Sequence, residues 1–259
     1  MRNTVAFIII AYHPKMEELK SLMRLLKDHP TIIVDNGGTL TLDDVGKATL
    51  LSQTKNLGYG AAVNIGIHHA SGLGATWFVV LNQDLHLTKA SRLSLLSQLR
   101  KLPPCIAGPF GAGLDTSRWT TILPSERVDY LTGSCLAIHQ KVVGKIGYFY
   151  EPYFLYYEDS DYCVRATRAG FPLIRIELPD VTHEETKSLG SGSRLHQYYL
   201  ARNHFLFVRR LAPTPVKLYE FFRIAKTITE HIRRHENGAL SGIRDYVLRR
   251  FGAIEGRTT

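Results

Sequence analysis

Three acidic residues near the middle of the chain have the type and spacing needed for proton-transfer chemistry. Glu158, Asp159 and Asp161 follow an aromatic and aliphatic run at residues 153–157 and precede a helical pattern that stops at Gly170. The acids are therefore expected at a helix N-terminus, where unpaired N–H groups and the helix dipole favour negative charge. A carboxylate held there beside apolar rings can act as a general base. The alternative interpretation is a capped helix start whose acids are only solvated.

A second polar group follows a buried strand. Residues 75–81 form a β-branched and aromatic run, and Asn82, Gln83 and Asp84 come directly after it. Carboxylate and amide oxygens are ligands that suit Mg²⁺ or Mn²⁺, and such ions also bridge diphosphate oxygens. The sequence therefore indicates a metal and diphosphate site, and a simple turn remains the alternative.

The N-terminal part reads as strand, helix and strand, with the strands at residues 5–11 and 31–34. A right-handed crossover places such strands parallel in one sheet. Ligands bind outside the carboxyl ends of parallel strands. The candidate ligand contacts at these two strand ends are Ala11, Tyr12, Asp35 and Asn36. Asp35 is suited to accept a hydrogen bond from a ribose hydroxyl or a base N–H, or else it is a turn acid before two glycines.

A glycine-rich loop then leads into a helix of small residues at 61–70. It is not a dinucleotide fingerprint, because Val63 replaces the third small residue and the loop is not the first strand-to-helix turn. Its helix N-terminus can still contact a phosphate or a sugar, and a tight packing loop is the alternative. The candidate contacts here are Asn56, Gly58, Gly60 and Asn64, the last expected in the first helical turn.

The second half continues the alternation of strands and helices. A helix is expected at 91–102, strands at 105–107 and 172–176, and a loop over the site at 114–127, after the turn-rich residues 108–113. Residues 128–139 read as a strand broken by Gly133 and Ser134. His183 follows the last strand, as a structural histidine or as a third metal ligand. The expected fold class is α/β, with a mixed, mostly parallel sheet flanked by helices.

Length and composition are consistent with one large α/β domain and a short appendage. The chain has 259 residues, of which 44% are hydrophobic and 21% charged, and a formal net charge of +9. The positive charge indicates an anionic partner. Three widely spaced cysteines argue against a disulfide framework or a zinc ribbon and suit a reducing compartment. The apolar run at 5–11 is too short to span a bilayer, and no signal peptide is expected.

In this order, the polar features resemble those of the inverting GT-A glycosyltransferases of family 2. The matching features are Asp35-Asn36, the loop at 56–64, Asn82-x-Asp84, Glu158-Asp159-x-Asp161 and His183. Within that family the chain is most similar to the rhamnosyltransferase-like branch, through the wording Leu-Asn-Gln-Asp at 81–84, Gly133-Ser134 and the stretch 198–203. The similarity covers about residues 4–210.

The resemblance implies a nucleotide-sugar donor with a divalent metal, Mg²⁺ or Mn²⁺, on its diphosphate. Asp35 would face the nucleobase or ribose, Asp84 with Asn82 nearby would hold metal and diphosphate, and His183 would complete the metal shell. Asn82 stands where the family has a first acid, which weakens the expected metal dependence. The donor favoured by the branch is dTDP-rhamnose, with UDP-sugars next.

For the acceptor, the resemblance implies a single displacement that inverts the anomeric carbon. Asp159 would deprotonate the acceptor hydroxyl, and Glu158 and Asp161 would position that base or the acceptor. The implied acceptor is a glycan, free or linked to a polyprenyl diphosphate, in bacterial surface polysaccharide assembly such as that of O-antigen.

The chain is expected to divide into a GT-A catalytic domain at 1–212 and a helical extension at 213–259. Two basic amphipathic helices are expected in the extension, at 216–234 and 240–251. Such helices can lie on an anionic membrane surface, pack on the enzyme's own core, or form a homodimer contact. Membrane contact would suit a lipid-linked acceptor and would place a cytoplasmic enzyme on the cytoplasmic face of the inner membrane.

Two other functions would explain parts of the sequence. A nucleotidyltransferase would share the nucleotide-binding half, but it would carry a lysine-bearing loop after the first strand, where this chain has Tyr12, His13 and Pro14. A basic nucleic-acid-binding protein without enzymatic activity would explain the net charge. It should interleave basic and aromatic residues on one face, whereas the basic excess lies late in this chain, so no nucleic-acid partner is expected.

Overall fold

The buried run at the start of the chain forms the centre of the main sheet. A computed structural model describes residues 4–123, 125–182 and 192–254. The first strand has seven buried residues and lies parallel between two other strands. The strands within these ranges are β1 (Val5–Ala11), β2 (Thr31–Asp35), β3 (Thr49–Ser52), β4 (Trp77–Asn82), β5 (Ile106–Gly108), β6 (Gly111–Leu114), β7 (Thr121–Ile122), β8 (Tyr130–Leu131), β9 (Cys135–His139) and β10 (Leu173–Arg175).

The expected fold class is confirmed. Seven strands form one sheet in the order β10-β5-β9-β4-β1-β2-β3, and a separate three-stranded sheet has the order β7-β6-β8. In the large sheet β9 runs antiparallel to both of its neighbours, and the other pairs are parallel. The carboxyl ends of β1, β2 and β4 therefore meet at one edge, as the ligand predictions require.

Both faces of the large sheet are covered, which explains why β1 is apolar at every position. Ala6, Ile8 and Ile10 belong to one buried cluster, whereas Phe7 and Ile9 belong to the other. Successive side chains of a strand point to opposite faces. The helices that accompany the sheets are α1 (Met16–Leu26), α2 (Leu42–Val45), α3 (Tyr59–Gly72), α4 (Lys89–Leu99), α5 (Gln140–Ile146), α6 (Glu158–Arg168), α7 (Arg194–Leu211), α8 (Thr214–Arg233) and α9 (Asn237–Val247).

Some local expectations were wrong. The turn-rich loop expected at 108–113 includes the start of β6, because Gly111 and Ala112 pair with β8 across the small sheet. The expected loop at 114–127 contains β7, which pairs with the other edge of β6. The break at Gly133 and Ser134 is larger than a kink, since β8 and β9 belong to different sheets.

The C-terminal helices contact the rest of the protein. α9 lies along α7, and it begins and ends a few residues earlier than expected. The N–H of Gly252 donates to the carbonyl of Pro152 at 2.9 Å, so the chain after α9 contacts the segment that precedes α6. The boundary at 212/213 stays a prediction. Within the described ranges, no helix has both the length and the apolar character needed to cross a membrane.

Candidate active site

The edge where β1, β2 and β4 end opens onto a cavity of about 450 Å³. Six of the predicted donor-binding residues line it: Tyr12, Asn36, Asn56, Gly58, Asn82 and Asp84. The opposite wall comes from the aromatic run, α7 and the end of the chain, through Phe154, Leu155, Leu195, Tyr199, Ala253 and Ile254. The cavity thus has a polar edge at the strand ends and a largely apolar wall facing it. Ligand contacts of the individual residues stay predictions.

Asn36 fixes the glycine-rich loop beside the end of β2. Its side-chain N–H group donates to Asn56 Oδ1 at 2.9 Å and to the Gly58 carbonyl at 3.2 Å, and its Oδ1 accepts from the Leu57 N–H. Gly58 has a φ of +88°, and a Cβ there would lie 2.4 Å from the Phe154 carbonyl oxygen. The loop therefore packs directly against the aromatic run, with no room for a side chain.

Four predicted contacts do not line the cavity. Asp35 is fully buried, and its carboxylate accepts from the backbone N–H groups of Gly37 and Leu40, at 3.1 and 2.7 Å. Asn64 lies in the second turn of α3 and not in the first, because the helix begins at Tyr59. Its amide bonds to Phe149 and Glu151 instead of facing the strand ends. The remaining two are Ala11 and Gly60, both buried.

Gln83 is a residue that the sequence reasoning passed over. Its side chain accepts from the Tyr12 N–H at 2.7 Å and donates to the Tyr12 carbonyl at 3.1 Å. This paired contact joins the end of β4 to the end of β1 across the cavity edge. Its position between Asn82 and Asp84 was the available signal.

The metal prediction rests on Asp84 and Asn82, since His183 lies outside the described residues. Thr182, the last described residue before it, pairs with His86 through the backbone. Within the described ranges, no group of three or more His, Cys, Asp or Glu side chains could hold a metal ion. Asp84 at the cavity edge still fits Mg²⁺, which is usually held by one or two carboxylates plus substrate phosphates and water.

Asp159 is held by hydrogen bonds from two directions. One carboxylate oxygen accepts from the Gly133 N–H at 3.1 Å, and the other accepts from the Ser160 N–H at 2.7 Å. Burial raises the pKa of Asp159, and these hydrogen bonds act in the opposite direction. Partly exposed and aligned by the Gly133 peptide, this carboxylate is suited to accept a proton.

Tyr59 links the cavity wall to that carboxylate. The Tyr59 hydroxyl donates to the Gly133 carbonyl at 2.5 Å, and the N–H of Gly133 donates to Asp159. Burial and the charges of Glu158 and Asp159 raise the pKa of Tyr59 well above its usual value, so the phenol keeps its proton. Tyr59 lies between the two glycines of the loop and was also passed over.

Glu158 differs from its neighbour in environment. Only 5% of its surface is exposed, and its Oε2 has no hydrogen-bond partner. Burial, followed by the charge of Asp159, raises the pKa of Glu158 to about 8. This environment favours the neutral form of Glu158. Asp159, whose carboxylate accepts from two N–H groups, is the better placed of the two to carry the negative charge.

Asp161 does not face the cavity. It is fully buried and accepts from the Tyr153 hydroxyl at 3.0 Å, Arg165 Nε at 2.7 Å and Arg210 Nε at 3.0 Å. Asp161 was expected to position either the base or the acceptor. Its carboxylate is enclosed by its own partners and ties α6 to α7, which does not suit contact with an acceptor, and a role in positioning Asp159 stays a prediction.

The aromatic run before α6 has an unusual backbone. Phe154, Tyr156 and Tyr157 have φ values of 67°, 67° and 74°, the left-handed region that residues other than glycine seldom adopt. Asn203 Nδ2 lies 2.7–3.0 Å from the carbonyl oxygens of residues 153, 155 and 156. Arg202 Nη2 donates to the Tyr153 carbonyl at 2.6 Å. These two buried side chains of α7 hold the strained run in place; the sequence reasoning had noted the stretch 198–203 without giving it a role.

Comparisons with curated proteins identify rhamnosyl- and hexosyltransferases as relatives, although no family model matches the chain. It is similar to N-acetylglucosaminyl-diphospho-decaprenol L-rhamnosyltransferase of Mycobacterium tuberculosis, with 27% identity over 79% of this chain and 82% of that protein. For dTDP-rhamnosyl transferase RfbF of Shigella flexneri the identity is 25%, over 94% and 97%. For low-salt glycan biosynthesis hexosyltransferase Agl10 of Haloferax volcanii it is 27%, over 80% and 76%.

Solved structures share the fold. TarS 1–349 of S. aureus in complex with UDP-GlcNAc matches with a TM-score of 0.58 and 14% identity, over 94% of this chain and 80% of that one. A longer TarS chain matches with a TM-score of 0.54, and this chain spans 43% of its length. Together the comparisons confirm the resemblance to family 2 glycosyltransferases and support hexosyltransferase activity.

Replacing Glu158 should change how stability depends on pH. The pKa of this group is higher in the folded state, about 8, than its ordinary 4.5, so the folded state binds more protons between those values. The free energy of unfolding therefore falls as pH rises through that window and levels off above it. Glu158→Gln removes this pH dependence of the unfolding free energy. Each unit of difference between the folded and unfolded pKa corresponds to about 1.4 kcal/mol.

Thermal unfolding of both proteins from about pH 5 to about pH 8.5 measures the effect. We expect the variant to gain stability relative to the wild type as pH rises. Glu17→Gln, at an exposed position of α1, is the control and should leave the slope unchanged. Parallel curves for the wild type and Glu158→Gln would show that Glu158 is not a buried, protonated acid.

Asn203→Ala should release the aromatic run. The variant removes the Asn203 donor from the carbonyl groups of Leu155 and Tyr156, whereas the Tyr153 carbonyl keeps Arg202 and the Leu155 N–H. We expect the free energy of unfolding to fall by about 1–3 kcal/mol. Urea unfolding measures the loss, and hydrogen exchange at residues 154–157 should speed up more than exchange in β1. Asn237→Ala, at an exposed position of α9, is the matched control. Unchanged exchange in the run would contradict the clamp.

Proposed function

We propose that this hexosyltransferase of the family 2 type moves a sugar, L-rhamnose first among the candidates, from a nucleotide-diphosphate donor to a glycan hydroxyl with inversion. The observation that carries the proposal is the connection between the cavity and the base. Tyr59 lines the cavity that opens at the strand ends, and through Gly133 it contacts the peptide that orients Asp159. Asp159 does not itself line the cavity, and this chain of contacts through Tyr59 and Gly133 links a donor bound there to a carboxylate aligned for proton transfer.

On the donor side, the cavity volume lies in the usual range for small-molecule sites. The polar edge at Asn36, Asn56 and Asp84 suits ribose and diphosphate groups, and the wall of Phe154 and Tyr199 suits the flat face of a base. We propose dTDP-rhamnose as the donor, with UDP-sugars next. The similarity to dTDP-rhamnosyl transferase RfbF supports the first, and the UDP-GlcNAc complex of TarS supports the second.

A divalent cation would be held by Asp84, with Asn82 as a neutral oxygen donor nearby. When bound, Mg²⁺ or Mn²⁺ neutralises charge on the leaving diphosphate. His183 remains a proposed third ligand. Because the site offers one carboxylate in the described part of the chain, we expect moderate metal dependence and not an absolute requirement.

On the acceptor side, Asp159 takes the proton of the attacking hydroxyl. The acceptor oxygen forms the new bond to the anomeric carbon while the bond to the nucleoside diphosphate breaks, and that group leaves with the bonding electrons. The protonated Glu158 beside it adds no second negative charge to repel the departing anion. One displacement inverts the anomeric configuration.

We further propose that the acceptor is a glycan linked to a polyprenyl diphosphate, handled on the cytoplasmic face of a bacterial inner membrane during surface polysaccharide assembly. The support is the similarity to the mycobacterial relative, whose name includes a diphospho-decaprenol group. The net charge of +9 is consistent with a diphosphate-bearing acceptor at an anionic membrane.

The donor proposal predicts selective nucleotide binding. In calorimetric titrations of dTDP, UDP and GDP with and without Mg²⁺ or Mn²⁺, we expect dTDP to bind most tightly and to gain affinity from the metal. Asp84→Ala should remove the metal-dependent part of the affinity. Asp43→Ala, at an exposed position of α2, is the control. If no nucleotide binds, the donor site is not where we place it.

The base proposal predicts that Asp159→Asn lowers kcat by about 10²–10⁴-fold while the affinity for the nucleotide is kept. The amide preserves the shape of the side chain but accepts no proton. Transfer is measured as nucleoside diphosphate release, and nuclear magnetic resonance of the product reports the anomeric configuration. Asp180→Asn, at an exposed position, should keep full activity. A fully active Asp159→Asn enzyme, or a product with retained configuration, would overturn this mechanism.

A further inference from the structure

The helix α8 is amphipathic, and the structure shows which of its faces contacts the protein. Large apolar residues recur along it at positions 218, 221, 222 and 232, spacings that place them on one side of an α-helix. A helix of a globular protein normally turns such an apolar stripe towards the core. Here the stripe faces solvent: Phe222 is 78% exposed, Phe221 69%, Ile232 55% and Leu218 52%.

The opposite face of α8 is polar and packs inward. Glu220 is only 2% exposed, and Thr227 is also buried. Arg118 Nε donates to Glu220 Oε1 at 2.7 Å, and His204 Nε2 lies 3.5 Å from Glu220 Oε2. Burial alone would raise the pKa of Glu220, but the nearby His204 and the hydrogen bond from Arg118 lower it, which favours the charged carboxylate.

This ion pair explains why the helix does not rotate to bury its apolar stripe. Rotation would separate the buried Glu220 from Arg118 and leave an uncompensated charge. Arg223 and Glu230 both lie on α8 and pair with each other at 2.8 Å, so this pair turns with the helix and the contact of Glu220 with Arg118 is the one that fixes its orientation. The outward apolar stripe is therefore built into the fold and needs a partner outside the described chain.

The charges beside the stripe indicate what that partner is. Lys226, Arg233 and Arg234 are exposed, whereas the two acids of α8, Glu220 and Glu230, are buried or paired. A second copy of the chain, packed stripe to stripe about a two-fold axis, would bring two sets of cations together. An anionic bilayer surface matches both the apolar stripe and the cations, because the aromatic rings can contact acyl chains and the cations can contact anionic headgroups.

We propose that α8 docks on an anionic lipid bilayer, with Phe221, Phe222 and the rest of its exposed stripe inserted and with Lys226 and Arg233 at the headgroups. The helix is about 30 Å long and would lie in the plane of the interface. The proposal deepens the proposed function on its acceptor side and rests on it for the purpose of docking, but the binding itself requires no nucleotide.

The docked helix would also lie close to the catalytic residues. His204 contacts Glu220 of α8, and its other ring nitrogen lies 3.4 Å from the Tyr157 hydroxyl. Tyr157 directly precedes Glu158 and Asp159. One side chain therefore separates the bilayer-facing helix from the strained run that positions the base, so a lipid-linked acceptor would meet the enzyme on this side.

Vesicle flotation of the full chain tests the proposal. We compare vesicles of phosphatidylcholine alone with vesicles that also contain phosphatidylglycerol, and we expect binding to the anionic ones. The double variant Phe221→Ser/Phe222→Ser should weaken this binding by about tenfold or more. Its matched control is Leu73→Ser/Leu93→Ser, which changes one exposed apolar residue just after α3 and one on α4.

A charge reversal provides the second arm. Lys226→Glu/Arg233→Glu should abolish the preference for anionic vesicles, whereas Lys20→Glu/Lys101→Glu, at exposed positions elsewhere, should keep it. Equal binding of wild type and the phenylalanine variant would overturn the proposal. The proposal would also be overturned if the wild type bound no vesicles but formed a dimer, and the phenylalanine variant were monomeric.

Nucleotide titration of the same variants separates this proposal from the proposed function. The phenylalanine and charge variants should bind dTDP as the wild type does, which also shows that they are folded. Vesicle binding without any nucleotide binding would contradict the donor proposal and would still support bilayer docking by α8. Nucleotide binding without vesicle binding would do the reverse.

Discussion

The site depends on a strained backbone held by two buried side chains. Three residues of the run before α6 adopt left-handed φ values without being glycine, an arrangement that typically costs about 1–3 kcal/mol at each position. Arg202 and Asn203 of α7 bind the carbonyl groups of that run and offset the strain. The run in turn sets where α6 begins, and with it the positions of Glu158 and Asp159. It also forms the apolar wall of the cavity, so one clamp positions both the base and the ligand wall.

The three acids at the start of α6 have different roles because their environments differ. Asp159 is bound by N–H groups that favour its charged form, and Glu158 is buried with an unpaired oxygen that favours its neutral form. Asp161 is enclosed by Tyr153, Arg165 and Arg210 and fastens α6 to α7. Two carboxyl groups side by side can thus share a small site, since their environments favour the charged form of one and the neutral form of the other.

Most of the architecture could be predicted from the sequence, and the roles of individual polar side chains could not. Hydrophobic patterning locates β1, β2 and β4 closely, because burial on both faces of a strand is a local property of the pattern. Asp159 and Asp161 are two residues apart and equally acidic. What distinguishes them is Arg210, 49 residues further along the chain, and the Gly133 peptide, 26 residues before. Contacts of that range leave no signal in a local pattern.

The orientation of α8 shows the same limit from the other side. Its periodicity indicates an amphipathic helix, but not which face the protein covers, and the ion pair of Glu220 with Arg118 decides that question. The C-terminal part also completes the site, because Ala253 and Ile254 line the cavity and the Gly252 carbonyl accepts from Arg202. A chain ending at residue 212 would lose part of the cavity wall and one partner of the clamp. The segment after residue 212 therefore contributes to the site through residues 252–254, and the exposed apolar face of α8 lies on the side of the helix away from Glu220.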